Sequence, residues 1–354
     1  MTTLNQPAPA PSRRRFMTGL AVAGAMAGAG PAESGETLAQ AVAGPPHRID
    51  VHHHISPPPY VAELVRRKIS GQEPTLAWTP AKSIADMDEG GTATAVASIT
   101  TPGVWFGNNQ EARDMARICN DYAAKLRSDY PKRFGIFASI PLPDVDGSLR
   151  EIEYALDTLK ADGIGVMTSF GDKWLGHPSF APVWAELNRR KAVVYTHPTV
   201  ANCCRNLLPD VNVAIIEFAT DTTRAIADLV FSGTVARFPD IKFIFSHAGG
   251  TMPFLTERFT RMPLLNPSLN ARLPHGVLYE LQRFHYDVAQ AAHPMALASL
   301  TRLVATSQIL FGTDFPYRTT LDHVKGLINF GFGAADLRAI DRDNALKLLP
   351  TLET

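Results

Sequence analysis

Five residues scattered through a chain of 354 share one chemistry. They sit in four short segments: Asp50-Val51-His52-His53-His54, Thr196-His197-Pro198, Ser246-His247-Ala248-Gly249-Gly250, and Phe311-Gly312-Thr313-Asp314-Phe315-Pro316. Imidazoles and carboxylates ligate borderline divalent cations and carry protons near neutral pH. In an extended run alternate side chains share a face, so His52 and His54 point the same way and can chelate one ion. His53 then points to the opposite side, toward surrounding helices. Three neutral imidazoles, His52, His54 and His197, with the Asp314 carboxylate make a nitrogen-rich set suited to zinc, with room left for substrate. Each residue alone says little, because a strand-end histidine is usually a hydrogen-bonded core residue and an Asp after Gly-Thr readily caps a helix. Their conjunction carries the signal.

Something must bring these segments together. After Pro45-Pro46 short apolar or β-branched runs alternate with longer amphipathic ones, the pattern of βα units around a parallel sheet. The expected strands are Arg48–His52, Thr94–Ile99, Phe134–Ile140, Ile164–Met167, Val193–His197, Phe243–Ser246, His285–Val288 and Ile309–Phe311. The expected helices are Pro59–Ile69, Gln110–Tyr130, Gly147–Lys160, Ala181–Arg190, Thr222–Ser232, Met252–Met262 and Pro294–Leu303. Eight strands with helical crossovers predict a closed (β/α)8 TIM barrel over residues 42–354, with the five residues at the C-terminal strand ends where barrel active sites lie. A doubly wound open sheet is the runner-up. No Gly-rich phosphate loop follows the first strand, which counts against it. Long, aromatic and Pro-rich loops after the first two strands are expected to cap the barrel mouth.

Thirty-four Lys plus Arg balance 34 Asp plus Glu, so no global field draws nucleic acid or an anionic membrane, and a small-molecule partner is the default. Three cysteines are too few for a disulfide scaffold. A bridge between neighbours Cys203 and Cys204 is strained, so three separate thiols are expected, with Cys119 as a small core residue. At the N-terminus, Ser12-Arg13-Arg14-Arg15-Phe16-Met17 precedes a weakly apolar stretch from Gly19 to Gly30, then Ala39-Gln40-Ala41. Charged region, apolar region and small-x-small site in that order resemble a twin-arginine export signal over residues 1–41. The expectation is an exported, periplasmic enzyme with no membrane span once the signal is removed.

Taken together, the four segments resemble the amidohydrolase superfamily over residues 47 to 345. The branch is that of aminocarboxymuconate-semialdehyde decarboxylase and γ-resorcylate decarboxylase. Leu159-Lys160-Ala161-Asp162-Gly163, Leu175-Gly176-His177-Pro178 and Trp184-Ala185-Glu186-Leu187 are similar to 6-methylsalicylate decarboxylase-like members. The resemblance implies one divalent metal, zinc first and manganese second, on His52, His54, His197 and Asp314, with His247 acting on protons beside it. No lysine ends the fourth strand at Ile164-Gly165-Val166-Met167-Thr168, so the bridging lysine of binuclear relatives is not evident.

The implied reaction is non-oxidative decarboxylation of a hydroxylated aromatic or related unsaturated acid, with Asp314 and His247 sharing the proton work. A metal-dependent hydrolase of a lactone, ester or amide is the alternative, since the same centre activates water. Candidate substrate contacts are Trp105 and Phe106, His177, Asp287, and Arg258 with Arg261 on the helix after His247. The resemblance also implies a homo-oligomer, a dimer or larger.

Overall fold

The computed structural model describes residues 37–353 apart from 44, 70–72 and 206. The expected export signal therefore lies outside the described residues except for 37–41. Those form the Thr37 N-cap and most of a short helix, Leu38–Val42, docked through buried Ala41, whose carbonyl accepts a 2.9 Å hydrogen bond from Arg48.

Eight parallel strands form the expected barrel. They are β1 (Arg48–His54), β2 (Thr92–Ser98), β3 (Phe134–Ser139), β4 (Gly163–Met167), β7 (Val193–His197), β8 (Lys242–Phe245), β9 (His285–Asp287) and β10 (Ile309–Leu310), hydrogen-bonded in that order. The two remaining strands, β5 (Ser169–Phe170) and β6 (Lys173–Trp174), make a small antiparallel hairpin after β4. The first and last barrel strands close on each other. Val51 N–H donates to the Phe311 carbonyl at 3.0 Å, Asp314 N–H to that of His52 at 2.8 Å, and His54 N–H to that of Phe315 at 2.8 Å. These bonds lock a pair of ligand-bearing segments side by side.

Strand Val193–His197 and helix Pro294–Leu303 fall where the sequence places them. The other expected strands differ by one or two residues at one or both ends. The helix expected over Thr222–Ser232 begins two turns earlier, at Ala214, and runs to Phe231. The helix expected over Gly147–Lys160 is Val145–Glu153 followed by a π turn, Tyr154–Thr158. Helices Pro80–Gly90 and Thr320–Phe330 were missed. The adjacent cysteines also differ from expectation, because Cys203 and Cys204 are joined as a vicinal disulfide in the turn Asn202–Cys204. That turn holds the neighbouring sulfurs together, which an argument from strain alone did not allow for. Cys119 is a free, buried core residue.

A large apolar cluster fills the space between strands and helices, with Phe243, Phe245 and Phe284 in mutual contact and Trp184 packed on Phe243. A smaller one gathers Ile49, Val51, Val96, Phe137, Val193, Tyr195, Ile244 and Leu310, residues of six strands that only a barrel interior brings together. Simple alternation from Ile49 and Val51 would send His52 outward. The β1–β2 register instead slips between Asp50 and His53, three residues of β1 facing two of β2. This bulge lets the strand change face, so Val51 packs inside below and His52 and His54 face the mouth above.

Candidate metal centre

The four expected ligands converge. One nitrogen from each of His52, His54 and His197 and one oxygen of Asp314 all lie within 4.8 Å of one another, and all four residues are buried. Asp314 Oδ1 is 3.2 Å from His52 Nε2, 3.0 Å from His54 Nε2 and 4.0 Å from His197 Nε2.

The far nitrogen of each ring explains why the near ones point inward. His52 Nδ1 meets Asp287 Oδ2 at 2.9 Å, and His197 Nδ1 meets the Pro198 carbonyl at 2.8 Å. Both partners only accept, so both Nδ1 atoms carry the proton. His54 Nδ1 is 3.1 Å from Ser98 Oγ, whose own proton goes to the His53 carbonyl at 3.3 Å, so His54 is also the donor there. Three Nε2 lone pairs are thereby aimed at one point. His52 and His54 place theirs 3.1 Å apart, and His197 Nε2 is buried without a hydrogen-bond partner. Lone pairs facing across such a gap repel unless a proton or cation lies between them. The donor set therefore fits a divalent ion.

The charges agree. Burial, the largest influence on His52, opposes protonation, but Asp287 and Asp314 outweigh it and raise its pKa to about 10 without a metal. Burial lowers His54 to about 4 and takes His197 well below the ordinary imidazole value. Burial alone would raise Asp314, yet His52 and the neighbouring rings hold it well below the usual carboxylate range. One proton thus sits among four ligands, and a cation entering the set displaces it.

Further residues hold the ligands. Asp50, fully buried, accepts from Thr313 Oγ1 at 2.6 Å, Thr313 N at 3.1 Å and His52 N at 3.0 Å, tying β1 to the segment after β10. His53 faces outward as expected, bonding Asp50 and the helix residue Ser83. Gly312 passes so close to β1 that a Cβ there would sit 2.9 Å from His52 Cβ and 3.0 Å from Asp287 Cβ. Asp287 reaches three donors: His52 Nδ1, the His247 N–H at 2.9 Å and the Ala289 N–H at 3.0 Å.

His247 stands beside the set rather than in it. Its ring stacks on His52 with centroids 5.0 Å apart, and its Nε2 lies 3.4 Å from Asp314 Oδ2. It adopts φ +55°, an unusual backbone for a side-chain-bearing residue, held by the Asp287 bond.

The other candidates separate. Trp105 and Phe106 line a cleft of about 500 Å3 with Phe170, Thr199, Val200 and Arg205, opening two residues beyond His197. Asp287 is fully buried behind His52. His177 begins a 3-10 turn and bonds Ser179. Arg258 and Arg261 are exposed on the helix Met252–Leu265. Sequence reasoning missed Ser98 and Gln290. Ser98 ends the strand beside β1, and that was the available signal.

Comparison with known proteins identifies the family and several similar decarboxylases. The amidohydrolase family profile matches residues 49–351. The Aspergillus niger decarboxylase yanB is 39% identical over 328 residues, 86% of this chain and 88% of its own length. The 6-methylsalicylic acid decarboxylase of Penicillium expansum is 35% identical over 323 residues, 86% of this chain and 97% of its own. Among solved structures, a Polaromonas dihydroxybenzoic acid decarboxylase with bound manganese and 2-nitroresorcinol superposes with TM-score 0.74 at 20% identity, covering 86% of this chain and 97% of that one. Among the described residues no helix is long and apolar enough to cross a membrane.

Proposed function

The chain belongs to the amidohydrolase family, and from that premise we propose that it is a metal-dependent carboxy-lyase removing CO2, without oxidation, from a hydroxylated aromatic acid. The convergence of three Nε2 atoms and one carboxylate oxygen carries the reading, together with the likeness to a 6-methylsalicylic acid decarboxylase over 97% of that protein's length.

The reaction needs a proton on the ring carbon that bears the carboxylate. Electrons from an ortho or para hydroxyl feed the ring, the carbon takes the proton, the C–C bond breaks, and its pair restores aromaticity as CO2 leaves. His52, His54, His197 and Asp314 would hold a divalent cation, which would supply positive charge to orient and stabilise an anionic substrate. The protein supplies the rest. His247 Nε2 and Asp314 Oδ2, 3.4 Å apart, form the polar pair that holds and delivers the proton. Trp105 and Phe106 offer the aromatic wall of the cleft that includes Thr199, two residues beyond His197, and whose size suits a small aromatic ligand.

Zinc is the native ion in this proposal, because three imidazoles and one carboxylate favour it over manganese, which prefers oxygen. The protein works as a homo-oligomer. Phe254, Leu264 and Leu265 are 84%, 78% and 75% exposed on the helix Met252–Leu265, where the eleven-residue spacing of Phe254 and Leu265 puts them on one face, an apolar stripe suited to a second copy. Light scattering of the purified protein checks this, and a monomer rejects it. Export by the twin-arginine route rests on Ser12 to Met17, and replacing Arg13 and Arg14 by Lys should retain the protein in the cytoplasm.

The deciding experiment measures CO2 release from a panel of ortho- and para-hydroxybenzoates by protein of known metal content. Release that tracks metal occupancy is expected. Turnover of lactones or aryl esters alone would replace this reading with the hydrolase.

A further inference from the structure

We propose that Gln290 is a positioning residue for Asp314, turning the carboxylate so that Oδ1 faces the three ligand imidazoles and Oδ2 is presented to His247. The inference builds on the metal-dependent reading above. Gln290 Nε2 lies 2.9 Å from Asp314 Oδ2. A carboxylate only accepts, so the amide presents its NH2 there rather than its oxygen. The carboxylate's two oxygens are thereby divided. Oδ1 is within 3.2 Å of both His52 and His54, while Oδ2 takes the Gln290 amide and stands beside His247.

A monodentate carboxylate with a free second oxygen swings about its Cβ–Cγ bond unless that oxygen is tethered. Asp314 has φ +64°, and its own N–H is committed to the His52 carbonyl, so its backbone is fixed and its carboxylate plane is the remaining freedom. Gln290 is held in turn. Its backbone has φ +55°, and its N–H donates to His323 Nε2 at 3.0 Å. His323 Nδ1 donates to the Thr319 carbonyl at 2.9 Å, which leaves Nε2 as the acceptor. Burial pushes the His323 pKa down and keeps that ring neutral. A line of hydrogen bonds thus runs from the N-cap of helix Thr320–Phe330, through His323 and Gln290, to the oxygen that pairs with His247.

Gln290 itself is exposed at the mouth, so removing its amide takes little core packing with it. Gln290→Leu keeps the stem and loses the donor, and Gln290→Glu sets a carboxylate against a carboxylate. Both variants and the parent are loaded with zinc, their melting temperatures compared, and metal release to a chelator followed alongside kcat and KM per bound metal. The expected result for Gln290→Leu is about tenfold faster metal release and a kcat per bound metal lowered about tenfold, with KM within about twofold, the range typical of residues that orient a ligand from outside the set. Gln290→Glu should lose more.

Parental release rate and parental kcat per bound metal in Gln290→Leu would overturn the proposal, as would a loss confined to KM. If the melting temperature of Gln290→Leu drops sharply, His323→Phe, which removes the acceptor holding Gln290, decides by the same release assay. Metal release needs no substrate. A parent that binds metal but decarboxylates nothing therefore overturns the activity and leaves this inference to the release rates.

Discussion

Replacing Asp287 by Asn tests whether the site works by fixing the tautomer of His52. The change preserves shape and alters only what the group can accept. Asp287 takes two backbone N–H groups on Oδ1, from His247 and Ala289, and His52 Nδ1 on Oδ2. An Asn must turn its oxygen to the two backbone donors, because the carbonyl satisfies both and the NH2 satisfies neither. Its NH2 then faces His52 Nδ1. Two donors cannot share that contact, so the ring moves its proton to Nε2, the atom aimed at Asp314 and the other ligands. The lone pair that would bind the cation is lost. A hydrogen bond to a charged, buried group contributes about 1.5–3 kcal/mol, and each ~1.4 kcal/mol is tenfold, so metal affinity should fall about 10- to 100-fold. At saturating metal, a 30-fold loss removes about 2 kcal/mol of metal-induced stabilisation. Chelator competition on metal-free protein measures the affinity, and thermal melts with and without metal measure the stabilisation. An Asp287→Asn protein with an intact fold and metal affinity within threefold of the parent would falsify the tautomer argument.

Three other outcomes follow from the geometry. In metal-free protein the raised pKa of His52 stabilises the fold fully below pH 6.5, and that contribution is lost as pH rises through about 10. Metal-free protein should therefore lose melting temperature over that window faster than loaded protein, in which the cation replaces the proton; parallel curves argue against it. Gly312→Ala forces a methyl to 2.9 Å from His52 Cβ, an overpacking of about 1–3 kcal/mol that should also weaken metal binding. A variant with parental melting temperature and full metal content contradicts the close approach. Trp105→Ala removes part of the aromatic wall of the cleft, and stacking of about 0.5–1.5 kcal/mol corresponds to a KM rise of roughly two- to tenfold with kcat little changed. Unchanged KM across a hydroxybenzoate panel would take Trp105 out of the substrate site.

The missed helices show where sequence reading lost information. Pro80–Gly90 has Thr79 as its N-cap, Pro at its start and Gly91 in the left-handed conformation at its end, and Thr320–Phe330 runs from the Thr319 cap to Gly331. Both sets of stop and start residues are visible in the sequence. Helix Ala214–Phe231 begins in a stretch with Ile215 74% exposed, so its first turns lack the one-sided apolar pattern that marks a helix.

From the sequence alone came the identity of the ligands, because the residue types suited to a divalent ion end extended runs and alternation along β1 pairs His52 with His54. The barrel itself was equally legible, since period-2 and helical patterns are local properties of a few consecutive residues. Tertiary structure decided everything that depends on contacts between distant segments. Asp287 lies 235 positions from His52, and Asp50 lies 263 from Thr313. The bulge that turns His52 toward the mouth exists only in the pairing of β1 with β2. Which oxygen of Asp314 meets the imidazoles and which meets Gln290 is set by torsions and hydrogen-bond directions that no spacing along the chain encodes.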